Sequence, residues 1–248
     1  MAYRLAIKIG SQYSAYVMPL TGTSRKRKTN GEARYIEEGR LRHMLKVAVI
    51  SGEFPLHNFA LLTTVYGANM KLTEIGRMPV CPYLNGDGSV RLKSSVDVVI
   101  AYNGKERPIY WSNAEVVEAI DADLAYRVTH LHRVTPMATS YRGLDPDGPI
   151  FLTGDREPYK LIARSARSGA VSYSCDSRDQ LFRKLHLQAG IAGASAMSGH
   201  RTFTLRLADS GFDRRHINEL LGLETLIAMK RLIDADPVRP DAIVARVM

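Results

Sequence analysis

Residues 196–222 read AMSGHRTFTLRLADSGFDRRHINELLG. Leu205, Ala208, Phe212, Ile217, Leu220 and Leu221 recur at the spacing of one helical face. Gly211 interrupts that pattern, and Gly222 follows its last apolar pair, where glycine commonly ends a helix by taking a left-handed backbone. Asp213 stands where a short carboxylate accepts the free N–H groups of a second helix's first turn. The stretch therefore reads as helix, short turn, helix.

Outward from it, Gln180–Gly190 carries a further helical pattern. Residues 89–111 read as two or three strands around the turn Asn103-Gly104. A helix from Asn113 to about His132 follows them, capped by Ser112 or Asn113. Thr135–Asp155 is rich in Gly, Pro and Asp and reads as loop, apart from a short IFLT strand. Three helices precede the strands: Ala33–Ile50 with Ile36, Leu41, Leu45 and Val49 inward, then FPLHNFALLTTVYGANM, then KLTEIGRM. The first twenty residues alternate weakly at Tyr3, Leu5 and Ile7, as a strand would. The fold class expected is mainly α with a small antiparallel β-sheet (α+β).

Lys and Arg outnumber Asp and Glu by 34 to 25, a net charge of +9 that suits a polyanionic partner. Arg25, Lys26, Arg27 and Lys28 follow one another within TSRKRKTNG, either as a solvated linker or as a basic arm along a phosphate backbone. No apolar run is long enough to span a membrane, and Lys8, Gly10, Ser11 and Gln12 interrupt the N-terminal stretch where a secretory signal would be continuous. A cytoplasmic protein without a membrane partner is expected. Cys81 and Cys175 are the only cysteines, too few for a disulfide scaffold or a four-ligand zinc site. His130 and His132 are the only close histidines and do not share a helical face, so neither a metal nor a cofactor is expected.

The opening stretch resembles the C-terminal signature of the tyrosine recombinase (phage integrase) family. Ser198, Gly199, Arg201, Thr202, Phe203, Leu207 and Ala208 match it without a gap, as do Gly211, Asp213, Ile217, Leu220, Leu221 and Gly222. A second block, residues 56–78, is similar to the family's first box at Asn58, Ala60, Leu61, Leu62, Tyr66, Gly67 and Glu74. Residues 103–109 look like its β-turn GKxR segment, and residues 149–155 like the short strand before its second box. Four blocks in the right order span about residues 40–236. The resemblance implies a catalytic-domain-like unit at 33–248 behind an N-terminal segment, 1–32, that carries the basic linker.

In that family a tyrosine attacks the scissile phosphate, two arginines hold its non-bridging oxygens, a β-turn lysine protonates the leaving oxygen, and a histidine and a later His or Trp complete the site. In this chain the first arginine position falls on Lys71, the histidine on Met197, the second arginine on His200, the His/Trp on Leu223 and the nucleophile on Leu232. Lysine keeps the charge at residue 71 but loses the two-pronged fork of a guanidinium. An ungapped alignment puts Tyr102 at the general-acid position, and a register shift of the hairpin would put Lys105 there instead. No tyrosine follows Tyr173.

These departures inside a matching framework imply a DNA-binding protein of integration or site-specific recombination that lacks its own cleavage activity. Its expected partners are double-stranded DNA and an active recombinase subunit or further copies of itself. Lys71, Lys105, His200, Arg201, Arg25 and Arg27 are the expected DNA contacts, although His200 also reads as a core-adjacent histidine, and Arg214 and Arg215 as solvated residues of a first helical turn. Two competing readings remain: an active recombinase using a non-standard or trans-supplied tyrosine, and a DNA-binding repressor or protein-interaction module.

Overall fold

A computed structural model describes residues 35–135, 140–165 and 171–223, together with 225, 227 and 229. Contacts divide the chain into Met1–Glu32 and Ala33–Met248, and every described residue belongs to the second unit. The weak strand expected in the first twenty residues, Arg25, Arg27 and Leu232 lie outside the described residues.

Helix α1 (Glu38–Ile50) opens at Glu38 rather than at Ala33, and buries Leu41, Met44, Leu45 and Ala48, one stripe at helical spacing. Ile36 is buried ahead of it, and its N–H donates to Thr202 Oγ1 at 3.0 Å, which ties the entry of α1 to the sixth helix. α2 (Pro55–Gly67) starts on a proline, whose missing N–H costs nothing at the first helical position. It is buried on nearly every side, because α1 and two later helices, Ala114–Thr129 and Ser198–Asp209, all pack on it. Its threonines and tyrosine are therefore satisfied internally: Thr64 Oγ1 donates to Ala60 O at 2.7 Å, and Tyr66 shares a 2.7 Å hydrogen bond with His186 Nε2.

α3 (Leu72–Ile75) is a single turn. β1 (Lys93–Val96) and β2 (Arg107–Tyr110) pair antiparallel with Val96 opposite Arg107. The turn expected at Asn103-Gly104 is present, with Gly104 N donating to Ala101 O at 3.2 Å and φ 67° at Gly104, but it lies within a longer connection. Asp97 makes an earlier turn in it, its Oδ1 accepting from Val99 N at 2.8 Å and its carbonyl from Ala101 N at 2.8 Å. α4 (Ala114–Thr129) is capped by Asn113 Oδ1, which accepts from Glu115 N and Val116 N. Asn113 and Val116 lie against Gly67, whereas Asp123 meets His57, so α4 runs antiparallel to α2.

The IFLT segment is buried at Ile150, Phe151 and Leu152 but makes only isolated bridges, not the strand its composition indicated. Buried Arg127 of α4 takes two of the neighbouring carbonyls, Pro149 O and Ile150 O, both at 2.9 Å. A hairpin that periodicity did not reveal follows, β3 (Ile162–Ser165) with β4 (Val171–Ser174). α5 (Asp176–Gln188) then begins four residues ahead of the expected Gln180, on the acidic first turn Asp176 and Asp179.

The organising stretch forms α6 (Ser198–Asp209) and α7 (Arg214–Leu221). Asp213 Oδ1 accepts from Arg215 N at 2.7 Å, and Gly222 closes α7 with φ 61°. Phe212 does not join the inward face: it sits in the turn between the helices, 57 % exposed. Gly199 allows α6 to approach α2 closely, since a Cβ there would stand 2.2 Å from Val65 Cγ1. The described residues thus form seven helices and two small antiparallel sheets, a mainly α fold of the α+β class. Among them no helix is long and apolar enough to cross a membrane.

Candidate nucleic-acid interface

The start of α3 and the β1–β2 hairpin meet at the buried carboxylate of Glu74. The carboxylate accepts from Lys71 N at 2.9 Å and from Tyr102 N at 3.2 Å, and it forms an ion pair with the Arg107 guanidinium. The first of these bonds is the reach-back of an acidic third residue to the N-cap amide, favoured at helix starts. Arg107 also donates to Asn69 O at 3.1 Å, so one guanidinium ties β2 to the loop that leaves α2. Glycine is required at residue 222 on two counts, a left-handed φ and a Cβ position only 2.8 Å from Arg107 Cδ. Its carbonyl accepts from Asn103 Nδ2 at 2.7 Å, which fastens the C-terminus of α7 to the hairpin.

On this platform stand Lys71, Tyr102 and His200. Lys71 Nζ lies 2.9 Å from the centre of the Tyr102 ring, a cation–π contact within a site where the lysine is only 7 % exposed. Burial pulls the Lys71 ammonium down to about 7; Glu74 opposes the shift and Arg107 adds to it. His200 is buried near the start of α6, and its Nδ1 pairs with Asn69 Oδ1 at 2.9 Å. That partner assigns the proton to Nδ1 and leaves Nε2 as an acceptor. Burial first, then the charges of Lys71 and Arg107, push the His200 imidazole down to about 3, so it is neutral near pH 7. The Tyr102 and His200 rings meet edge to face, 6.3 Å apart.

Lys71 and His200 are thus brought to one place, and Arg201 lies buried one residue further along α6. Lys105 is exposed at the hairpin, its N–H accepted by Asn103 Oδ1, whereas Tyr102 is the hairpin residue packed on Lys71. Met197 is the exposed N-cap of α6. Leu223 packs against Ile217, Leu221 and Met229, where its side chain fills an apolar cluster. Sequence reasoning missed Arg107 and Asn69 as site-builders. Arg107 could have been found, because it is the arginine of the GKxR segment. Asn69 could not, since only its φ of 53° lets its carbonyl and side chain serve Arg107 and His200 at once.

The fold recurs in solved structures. The chain is similar to XerA recombinase, with TM-score 0.59 and 17 % identity over 86 % of this chain and 66 % of that one. It is similar to the Tn1549 transposon integrase in complex with a circular intermediate DNA, with TM-score 0.60 and 13 % identity over 88 % and 66 % of the two chains. It also matches XerH site-specific recombinase bound to its difH substrate in a pre-cleavage complex, with TM-score 0.54 and 13 % identity over 86 % and 54 %. This is the tyrosine recombinase catalytic-domain fold. The chain spans between 54 % and 66 % of the length of these three recombinase-fold proteins. Neither a protein-family model nor a curated protein matches the sequence. At such identities the recombinase fold is what is shared, and the chemistry rests on the residues of this chain.

Proposed function

We propose that this chain is a cytoplasmic DNA-binding protein of the recombinase fold that takes part in integration or site-specific recombination without cleaving DNA itself. The observation that carries the reading is His200. Where the resemblance places a phosphate-holding arginine, this chain has a buried neutral imidazole that brings no cation to a developing phosphorane charge. Leu232 at the nucleophile position supports the same reading, because a hydrocarbon side chain forms no phosphoester. Lys71 and Arg201 then serve as phosphate contacts, with Lys105 at the hairpin tip and Arg25 and Arg27 in an N-terminal arm ahead of residue 33. An active recombinase subunit or a second copy of this chain would complete the assembly.

Equilibrium binding to duplex DNA across a salt series, with the same samples denatured to detect covalent adducts, tests the reading. Affinity is expected to fall steeply with salt, because each neutralised phosphate contributes roughly 0.9 to the logarithmic slope, and no adduct is expected. A trapped protein–DNA adduct would overturn the claim. One observation favours a second reading: the partly exposed Tyr102 phenol stands beside Lys71 and His200. An adduct that disappears in Tyr102→Phe would establish that tyrosine as a non-standard nucleophile.

The titration of Lys71 adds a pH signature. Its ammonium is protonated below about 7 and neutral above it, so duplex affinity should weaken by up to about tenfold between pH 6 and pH 8 if only the charged form binds. Lys71→Arg, charged throughout, should flatten that dependence. An unchanged slope in the arginine variant would remove Lys71 from the interface.

A further inference from the structure

At the opposite end of α2 from Lys71, roughly 20 Å away along thirteen helical residues, planar side chains form a cluster. The Arg156 guanidinium lies 4.9 Å from the centres of both the Phe54 and the Tyr126 rings. Tyr126 stacks on His130 at 3.9 Å and 26°, and His132 lies to the side of the pair, 5.7 Å from His130 and 6.0 Å from Tyr126. Gly154 leaves room for the Phe54 ring, since a Cβ there would come within 2.5 Å of it. His130 is exposed, and its Nδ1 pairs with Tyr126 O at 2.8 Å, which fixes the ring plane and leaves Nε2 outward of that bond.

Glu157, next to Arg156 in the chain, is held by Arg133 at 2.7 Å. The Arg156 guanidinium makes no hydrogen bond or ion pair among the described residues, and its contacts are the two ring faces. Burial, then the charges of Arg156, His130 and Arg127, hold the His132 imidazole below its ordinary range. Leu131 is 75 % exposed. Leu131, Arg133 and Arg156 all take left-handed φ, 56°, 51° and 63°, a strain that persists only where surrounding structure enforces it.

Aromatic faces beside an unpaired, pre-oriented guanidinium and an exposed imidazole match the chemistry of a nucleic-acid strand whose bases are free to stack. Bases in a duplex already stack on one another and offer a protein only their edges and phosphates. We propose that this corner is a second nucleic-acid contact, selective for an unpaired strand, in which a base stacks on the exposed His130 ring and Arg156 meets an adjoining phosphate. It shares no residue with the Lys71 pocket, so it stands or falls separately from the duplex-binding reading.

The test is fluorescence anisotropy of the full chain with labelled oligo(dT) and, in parallel, with a blunt duplex. His130→Ala and Arg156→Gln should each weaken oligo(dT) binding, by roughly five- to a hundredfold for the stacking residue, and leave duplex binding within about twofold. His130→Phe, which restores a stacking face without an imidazole, should recover most of the loss and guards against a misfolded variant. Lys71→Ala should show the reverse pattern, weakening duplex binding and sparing oligo(dT). Unchanged oligo(dT) affinity in both variants, equal losses on both probes, or competition by polyglutamate as effective as by unlabelled oligo(dT) would each overturn the proposal.

Discussion

Replacing Glu74 by alanine is expected to destabilise the fold by about 3–5 kcal/mol, because it strips a buried cation of its counter-ion. Glu74 and Arg107 are 0 % and 2 % exposed at their side chains. The substitution leaves the guanidinium desolvated with Asn69 O as its remaining acceptor, and it removes the acceptor of the Lys71 and Tyr102 amides as well. Each stranded donor adds roughly 1–3 kcal/mol if water cannot reach it. Denaturant unfolding of the single and double variants separates these contributions. Glu74→Ala with Arg107→Ala should cost less than the sum of the two singles, since the second change removes the charge that the first one strands. A cost below about 1 kcal/mol for Glu74→Ala would mean that water solvates the pair, as for exposed ion pairs. The variant should also lose duplex affinity, because the same carboxylate holds the start of α3, where Lys71 sits, against the hairpin that carries Tyr102.

How far the sequence reveals this site depends on the range of each signal. Helical periodicity and local caps are near-neighbour effects, so α2, α6, α7, Asn113 and Asp213 can be read directly from the residues. The start of α5 is hidden because its first turn is acidic and polar, a helix-favouring pattern that an apolar count ignores. The β3–β4 hairpin is hidden because no Asn-Gly turn lies between its four-residue strands to mark them, as one does between the equally short β1 and β2. Phe212 misleads in the opposite direction, since it keeps the spacing of the inward face while Gly211, with φ 79°, turns the chain away.

The site itself was legible only as positions. Lys71 and His200 are 129 residues apart in the chain, and their convergence depends on Asn69, Glu74 and Arg107, whose side chains bridge segments that no local pattern connects. The state of those groups was not legible at all. A lysine and a histidine in a sequence read as cations or potential cations, but desolvation in this site moves the first to about 7 and the second to about 3. A buried cationic clamp and a buried neutral pocket therefore share one sequence pattern and differ in what they can do to a phosphate.

That neutrality of His200 carries a cost in acid, which gives the second large effect. Its imidazole titrates near 6.5 in an unfolded chain and is pushed down to about 3 in the fold. The unfolded state therefore binds a proton that the folded state refuses, and stability contributed by the neutral form is lost as pH falls from 6.5 towards 3. The linkage amounts to about 2 kcal/mol at pH 5 and about 3 kcal/mol at pH 4. Lys71 contributes no slope below about pH 6, where it is protonated in both states. His186, lowered by its own burial, adds to the loss in the same direction. His200→Asn separates the two, because an asparagine amide can still donate to Asn69 Oδ1 and does not titrate. Thermal or urea unfolding followed from pH 7 to pH 4 should show a shallower acid limb in His200→Asn than in the unsubstituted chain, by about the amounts above. Parallel limbs would mean that the folded chain accepts the proton. His200 would then be a cation beside Lys71, and the proposal of a cleavage-incompetent pocket would lose its principal support.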